Sequence, residues 1–309
     1  MGRILLGNNL RQSVVGPEFN GMTIEWLGWD GSVWNLTSGE QGVALQPGYQ
    51  GFSMPAIQPY EREGPAVHGS YYQGFRVETR RLFLPLLIIT ASGNQNYWTD
   101  LDASFFRTLR PDKTGTLRVT DTQGRRRELT CRFEGDEEHA YQEDPSQDGV
   151  AVYALRLVAN EPFWRGTPVS KAFGQSAPED YYERTNPGEV YYLSSGSSFS
   201  TAQFANPGDV DGYIKWTIKG PFDTIAVGIG GQDIKIGFPV TSGQTITIDT
   251  SPLDMRVMRN GVNITSLLTT PPRYDVLPAE SNTKITIAAT GTEFGTVTAS
   301  LTPLYYRAW

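Results

Sequence analysis

A chain of 309 residues with 39% hydrophobic residues can bury two separate cores and is too apolar for a disordered tail. Residues 1–168 hold 16 basic and 20 acidic residues and residues 169–309 hold 10 and 13, so neither half has the basic excess of a nucleic-acid binder. Cys131 is the only cysteine, which excludes an intrachain disulfide framework.

The 33 glycines, 20 prolines and 12% aromatic residues favour many short strands over long helices. The opening MGRILLGNNLRQ has too short an apolar run for a signal peptide. No run approaches the roughly 20 apolar residues of a membrane span. The expectation is a soluble protein made in a reducing cytoplasm. The sequons at Asn35-Leu36-Thr37 and Asn263-Ile264-Thr265 are then chance matches.

In chain order, MTIEWLGWDGSVWNL suggests a hairpin about Asp30-Gly31. The glycine-rich GVALQPGYQGFSMP that follows must turn often. RRLFLPLLIIT reads as a buried strand pair or a strand edge interrupted by Pro85. Leu101, Phe105 and Leu109 then form one apolar stripe of a helix over 98–110, with Thr99 or Asp100 as its cap and Arg110-Pro111 as its stop. Leu117 and Val119 alternate inward in the next hairpin, whose turn falls near Gln123-Gly124. Arg125, Arg126 and Arg127 make it the densest basic cluster. Glu128 beside them points to a solvated hairpin or subunit contact rather than a phosphate track.

GDEEHAYQEDPSQDGV holds six acidic residues, all in the segment 135–149, and no basic one. It lacks the regular ligand spacing and closing glutamate of a calcium loop, so a solvated loop is expected. VAVYALRLVANEPFW returns to strand alternation. Periodicity then fades from Gly166 to about Tyr191, as in a linker arm. It resumes at Ile214, Trp216 and Ile218. Strands at 224–229, 233–238, 244–249, 255–259, 283–288 and 295–301 have the spacing of a sandwich.

Candidate chemistry is sparse. His68 and His139 both lie in loop-like sequence, without the company a metal site needs. Cys131 alternates with Leu129 and Phe133, as a small core residue does. GIGGQD, Gly228 to Asp233, lacks dinucleotide-loop spacing and reads as a tight turn. Asp249 ends an alternating TITI run two residues before Ser251-Pro252, where an aspartate commonly bonds the backbone of its own turn. A catalytic carboxylate there is the competing reading, since glycosidase acids lie far apart in sequence. Tyr49, Tyr71-Tyr72, Tyr181-Tyr182 and Tyr191-Tyr192 suit either sugar stacking or a wet subunit interface.

The order of these segments is similar to that of the distal tail proteins of long, flexible-tailed phages, most like the version in phages of actinobacteria. Trp34-Asn35-Leu36 with GVALQPGYQGFSMP resembles that family's N-terminal signature. The helix, the GTLRV…GRRREL hairpin and NEPFW at 160–164 continue it. FANPGD, IKGPF, GQTITIDT, the Asn260-Gly261 hairpin and the closing LTPLYYRAW match its C-terminal sandwich.

The resemblance implies a mainly β fold: a tail-hub-like β-domain with one helix over 1–168, then, in 169–309, an arm at about 169–190 and a galectin-like β-sandwich. It implies a virion structural adaptor at the distal end of the tail, assembled in the host cytoplasm. A ring, commonly a homo-hexamer, would join the tail tube protein to tail-tip hub, fibre and other minor tail proteins around the DNA channel. On this reading there is no catalytic, cofactor or metal residue and no specific nucleic-acid binding, and Asp249 is structural. The alternative is a carbohydrate-binding sandwich, lectin-like or accessory to a glycosidase, that recognises a host-surface glycan.

Overall fold

Alternation in TIEWL puts Ile24 and Trp26 into the interior and makes strand β1, Thr23–Leu27. The computed structural model describes residues 21–65, 68–90, 95–136, 144–174, 199–252, 254–268, 276–291 and 295–309. Over these the chain divides into two units. The first is the part up to Gly166 together with Tyr305–Trp309; the second is Thr167–Leu304.

In the first unit, β1 is followed by β2 (Val33–Asn35), β3 (Val43–Leu45), β4 (Ile57–Glu63), β5 (Ser70–Val77) and β6 (Arg80–Ile89). Helix α1 (Gln95–Arg107), β7 (Gly115–Thr120), β8 (Arg126–Asp136), α2 (Pro145–Asp148), β9 (Val150–Ala159) and β10 (Trp164–Gly166) complete it. Its main sheet runs β2-β1-β7-β8-β9-β6-β3. Leu82, Leu84, Leu86 and Ile88 of β6 face one core with Leu155 and Leu157 of β9, and α1 adds Trp98 and Phe105.

Segment 80–89 is thus one ten-residue strand inside the sheet, not a strand pair or an edge. Pro85 is tolerated because β6 meets β3 only through Leu86, Leu87 and Ile88. The N–H it lacks would point to that side, just past the end of β3, so the β6–β9 ladder loses nothing. Helix α1 begins at Gln95, which places Thr99 and Asp100 inside it rather than at a cap. It ends as Thr108 and Leu109 tighten onto the carbonyls of Phe105 and Phe106.

The second unit contains β11 (Val169–Gly174), β12 (Gln203–Asn206), β13 (Lys215–Lys219), β14 (Thr224–Ile229), β15 (Gln232–Ile236) and β16 (Thr245–Asp249). It continues with β17 (Arg256–Arg259), β18 (Val262–Asn263), β19 (Ser281–Thr290) and β20 (Thr296–Leu301). A six-stranded sheet, β11-β20-β13-β16-β17-β18, and a four-stranded sheet, β12-β19-β14-β15, share a core that includes Trp216, Ile248, Val227 and Ile287. This is a β-sandwich, and with the first unit it makes the chain mainly β.

Two sequence expectations need correction. The arm at about 169–190 opens with a strand, because Val169–Gly174 pairs along β20 from Val169↔Leu301 to Gly174↔Thr296. Its alternation was hidden by Ser170 and Lys171 on a short edge strand. Residues 175–190 lie outside the described residues. The closing LTPLYYRAW does not finish the sandwich: after Leu304 its last five residues belong to the first unit. The sandwich is therefore an insertion in the first unit's sequence.

The FANPGD segment has a structural explanation. Asn206 is buried, and its amide nitrogen donates to the carbonyls of Val210, Leu277 and Pro278 while its oxygen accepts from Gly208 N–H at 2.9 Å. One side chain thereby ties the 206–210 turn to the strand entry at 277–278.

Candidate functional site

The first unit closes on its last five residues through Arg80. This guanidinium is 2% exposed and donates to four backbone carbonyls: Pro162 at 2.6 Å, Gly51 at 2.6 Å, Ser53 at 2.7 Å and Tyr306 at 2.6 Å. Burial lowers it to about 10, which leaves it charged at neutral pH. Around it, Ala308 N–H donates to Phe52 O at 2.9 Å and Trp309 stacks on Phe52. Gly166 lies so close under Tyr305 that a Cβ would sit 2.7 Å from the ring.

Most of the arginine-rich hairpin is paired with its own carboxylates. Arg118 donates to Glu128 at 2.8 Å and lies 3.4 Å from Glu25, so the three form a cross-strand ladder over β1, β7 and β8. Arg125 pairs with Asp121 at 2.6 Å in the turn, and Arg126 lies 3.5 Å from Glu128. Arg127 donates to Arg307 O at 2.8 Å and covers the Tyr305 ring at 3.7 Å. The cluster engages its own carboxylates and the last five residues instead of presenting a bare cationic track.

The most exposed secondary structure in this unit is a hairpin that the sequence pattern did not disclose. Among the described residues, strands β4 and β5 pair only with each other, from Ile57↔Val77 to Glu63↔Ser70, with a bulge after Tyr60. In an antiparallel ladder, directly paired residues share a face. Ile57, Pro59, Phe75 and Val77 therefore form one apolar face near the base. Ile57 is 54% exposed, Phe75 47%, Tyr71 61% and Tyr72 64%. Charges at Glu61, Arg62, Glu63 and Arg76 masked the alternation that would have revealed these strands.

On the sandwich, Asp249 ends β16 and its Oδ1 accepts from Ser251 N–H at 3.0 Å. It is a turn-forming aspartate. Its Oδ2 lies 3.9 Å from Lys215 Nζ, and both residues line a shallow cleft on the outer face of the six-stranded sheet.

The remaining candidates are not brought together. Cys131 is buried at 1% exposure, and desolvation pushes its thiol up to about 12, the opposite of an activated nucleophile. His68 sits exposed in the β4–β5 connection, and His139 lies outside the described residues. Gly228 to Asp233 is the β14–β15 turn. Of the acidic segment, Asp144 caps α2 through Ser146 N–H at 3.0 Å and Asp136 ends β8; residues 137–143 lie outside the described residues. Among the described residues no three His, Cys, Asp or Glu side chains gather as metal ligands, and no helix is long and apolar enough to cross a membrane.

Tyr49 is partly buried and packs edge-on against Phe52 of the first core. Tyr71 and Tyr72 belong to the exposed hairpin, and Tyr181, Tyr182, Tyr191 and Tyr192 lie outside the described residues.

No protein-family model and no curated protein sequence matches the chain. Among solved structures it is similar to the Dit protein of phage SPP1, a paradigm of the hub adsorption apparatus in phages that infect Gram-positive bacteria. The TM-score is 0.64 at 15% identity, over 92% of this chain and 98% of that one. A chain of the phage P2 baseplate in its activated conformation with Ca is similar at a TM-score of 0.51 and 12% identity, over 91% of this chain and 98% of that one. At such identities the likeness is one of fold, and it spans both units.

Proposed function

We propose that this chain is a structural protein of a phage virion, the distal tail adaptor that forms a ring between the tail tube and the tail-tip hub and fibre proteins. The observation that carries the reading is the fold. The likeness to the SPP1 Dit hub protein runs through nearly the whole of both chains, including the sandwich.

Two features of the surface support a ring. An isolated two-stranded hairpin is marginal in water, and among the described residues nothing of its own unit covers β4–β5. A neighbouring copy is the cover this reading provides. A hairpin on one side meeting the body of the next subunit is a head-to-tail contact, which gives a cyclic ring when the rotation between neighbours closes. The self-paired arginines of the β7–β8 hairpin suit a passage for DNA, because an unneutralised basic lining would hold phosphates. The likeness to phage hub and baseplate proteins supports a non-enzymatic role.

The test is native mass spectrometry of the purified chain with a photo-crosslinker at Tyr72. A homo-oligomer of closed stoichiometry, hexameric on this reading, with adducts joining the hairpin to a second copy, is the expected result. A strict monomer at high concentration that also yields no homotypic adduct would count against it.

A further inference from the structure

The turn between β17 and β18 consists of Asn260 and Gly261, both left-handed, at φ 47° and φ 84°. Such a pair of conformations suits a two-residue hairpin turn. Register sets Asn260 beside Thr245, one step beyond the Ile246↔Arg259 pair. Asn260 N–H donates to Thr245 O at 2.9 Å, as the next rung of the ladder would. The return bond is different: Thr245 N–H donates to the Asn260 side chain, Oδ1, at 2.9 Å. The carboxamide thus takes the place of the backbone carbonyl and closes the end of the β16–β17 ladder.

The same side chain can react with its own backbone. In an Asn-Gly pair the glycine nitrogen attacks the asparagine Cγ, a new C–N bond closes a five-membered succinimide, and the Cγ–Nδ2 bond breaks. Nδ2 leaves as ammonia, taking up the proton that the glycine nitrogen gives up. Water then opens the ring at either carbonyl, giving aspartate or isoaspartate, with no oxidant or reductant involved. Asn260 and Gly261 are both exposed, so solvent reaches the leaving group. Apart from its chain neighbours, no atom lies within 4 Å of where a Gly261 Cβ would stand. Sterically, nothing there blocks the attack.

We propose that Asn260 is a modification site that the fold holds closed. Ring closure must turn the flat face of the carboxamide onto Gly261 N and make Cγ tetrahedral. Thr245 N–H holds Oδ1 toward β16, so that rotation breaks the 2.9 Å bond. Pairing of Arg259 with Val262 fixes the backbone of the turn as well. Conversion to aspartate and isoaspartate therefore proceeds through opening of this rung. Aspartate can still accept from Thr245. Isoaspartate adds a carbon to the main chain and breaks the two-residue register of β17 and β18. The site lies within the sandwich and does not rest on the proposed assembly.

The test is peptide mapping of the full-length chain aged at fixed pH and temperature, with isoaspartate labelled by an isoaspartyl methyltransferase. The map separates position 260 from Asn20-Gly21, the other Asn-Gly of the sequence. Conversion at position 260 should be slower by about tenfold or more in the folded chain than in denaturing urea. Thr245 turns both its N–H and its carbonyl to β17, so Thr245→Pro removes the clamp and spares the pairing with β13. Folded Thr245→Pro should convert several-fold faster than the folded parent. A second readout needs no variant: through a series of sub-denaturing urea concentrations, conversion should rise in step with exchange of the Thr245 amide proton. Equal rates in folded and denatured chains, or no product at position 260 in urea, would overturn the proposal. So would a folded Thr245→Pro chain at the parent's rate, or conversion that does not follow Thr245 exchange.

Discussion

Arg80 Nη2 donates to the carbonyl of Tyr306 at 2.6 Å, joining positions 226 residues apart. The same guanidinium holds Gly51, Ser53 and Pro162, so one buried cation gathers three connections of the first unit and its returning segment. Replacing it by Met would leave four carbonyls without their donor. The expected loss is about 3–5 kcal/mol, the scale for breaking a buried charged network. Arg80→Lys should recover only part, because an ammonium lacks the planar fork. Chemical denaturation followed by tryptophan fluorescence checks both.

Because Tyr305–Trp309 packs in the first unit, removing these five residues should lower that unit's melting temperature while leaving the sandwich transition in place. A chain in which a short Gly/Ser linker joins Gly166 directly to Tyr305 should regain the first transition. Two-transition calorimetry reads the outcome. A first unit indifferent to the loss of residues 305–309 would contradict the Arg80 account.

Asp102 gives a pH test. Its carboxylate accepts from Tyr153 Oη at 2.6 Å, yet burial raises its pKa above the ordinary aspartate value. The folded state therefore holds the proton to higher pH than the unfolded chain. The stability this confers is complete below the unfolded pKa and is lost as pH rises through the folded one. Asp102→Asn keeps an acceptor for Tyr153 without the charge. It should equal or exceed the parent in melting temperature at pH 7, and its advantage should shrink as pH falls through the carboxylate range.

Asp249→Ala should cost about 0.5–1.5 kcal/mol, the net value of one hydrogen bond to the turn. Asp249→Asn, which can still accept from Ser251, should cost less. Urea titration of the sandwich transition distinguishes the two.

Much of the fold was legible because alternation is strong where one face is buried. The strands about Ile246 and Ile248, Leu117 and Val119, and Trp216 all fall where their patterns put them. The stripe of Leu101, Phe105 and Leu109 likewise faced the core. The β4–β5 hairpin escaped because neither face is buried among the described residues and its charged positions interrupt the apolar alternation. The return of Tyr305–Trp309 to the first unit also left no local signal. Alternation specifies which face a residue takes, not which core receives it. Asp249 was legible as a turn former, but its place beside Lys215 and Arg256 depends on strand order, which a single sequence does not print.

The hairpin separates the assembly account from a purely monomeric one. Tyr72→Glu with Phe75→Glu places charge on an exposed surface, so the monomer should fold with an unchanged melting temperature. Self-association, measured by analytical ultracentrifugation, should fall at least tenfold in affinity. An equal drop in thermal stability would mean that the hairpin packs within its own subunit.

The most direct measurement is cryo-electron microscopy of tails carrying this protein, with its position marked by a tag fused after Trp309. The account expects a closed ring with an open centre between tube and tip, its subunits linked through residues 57–77. Density confined to peripheral fibres, or a central plug in place of an open ring, would contradict it.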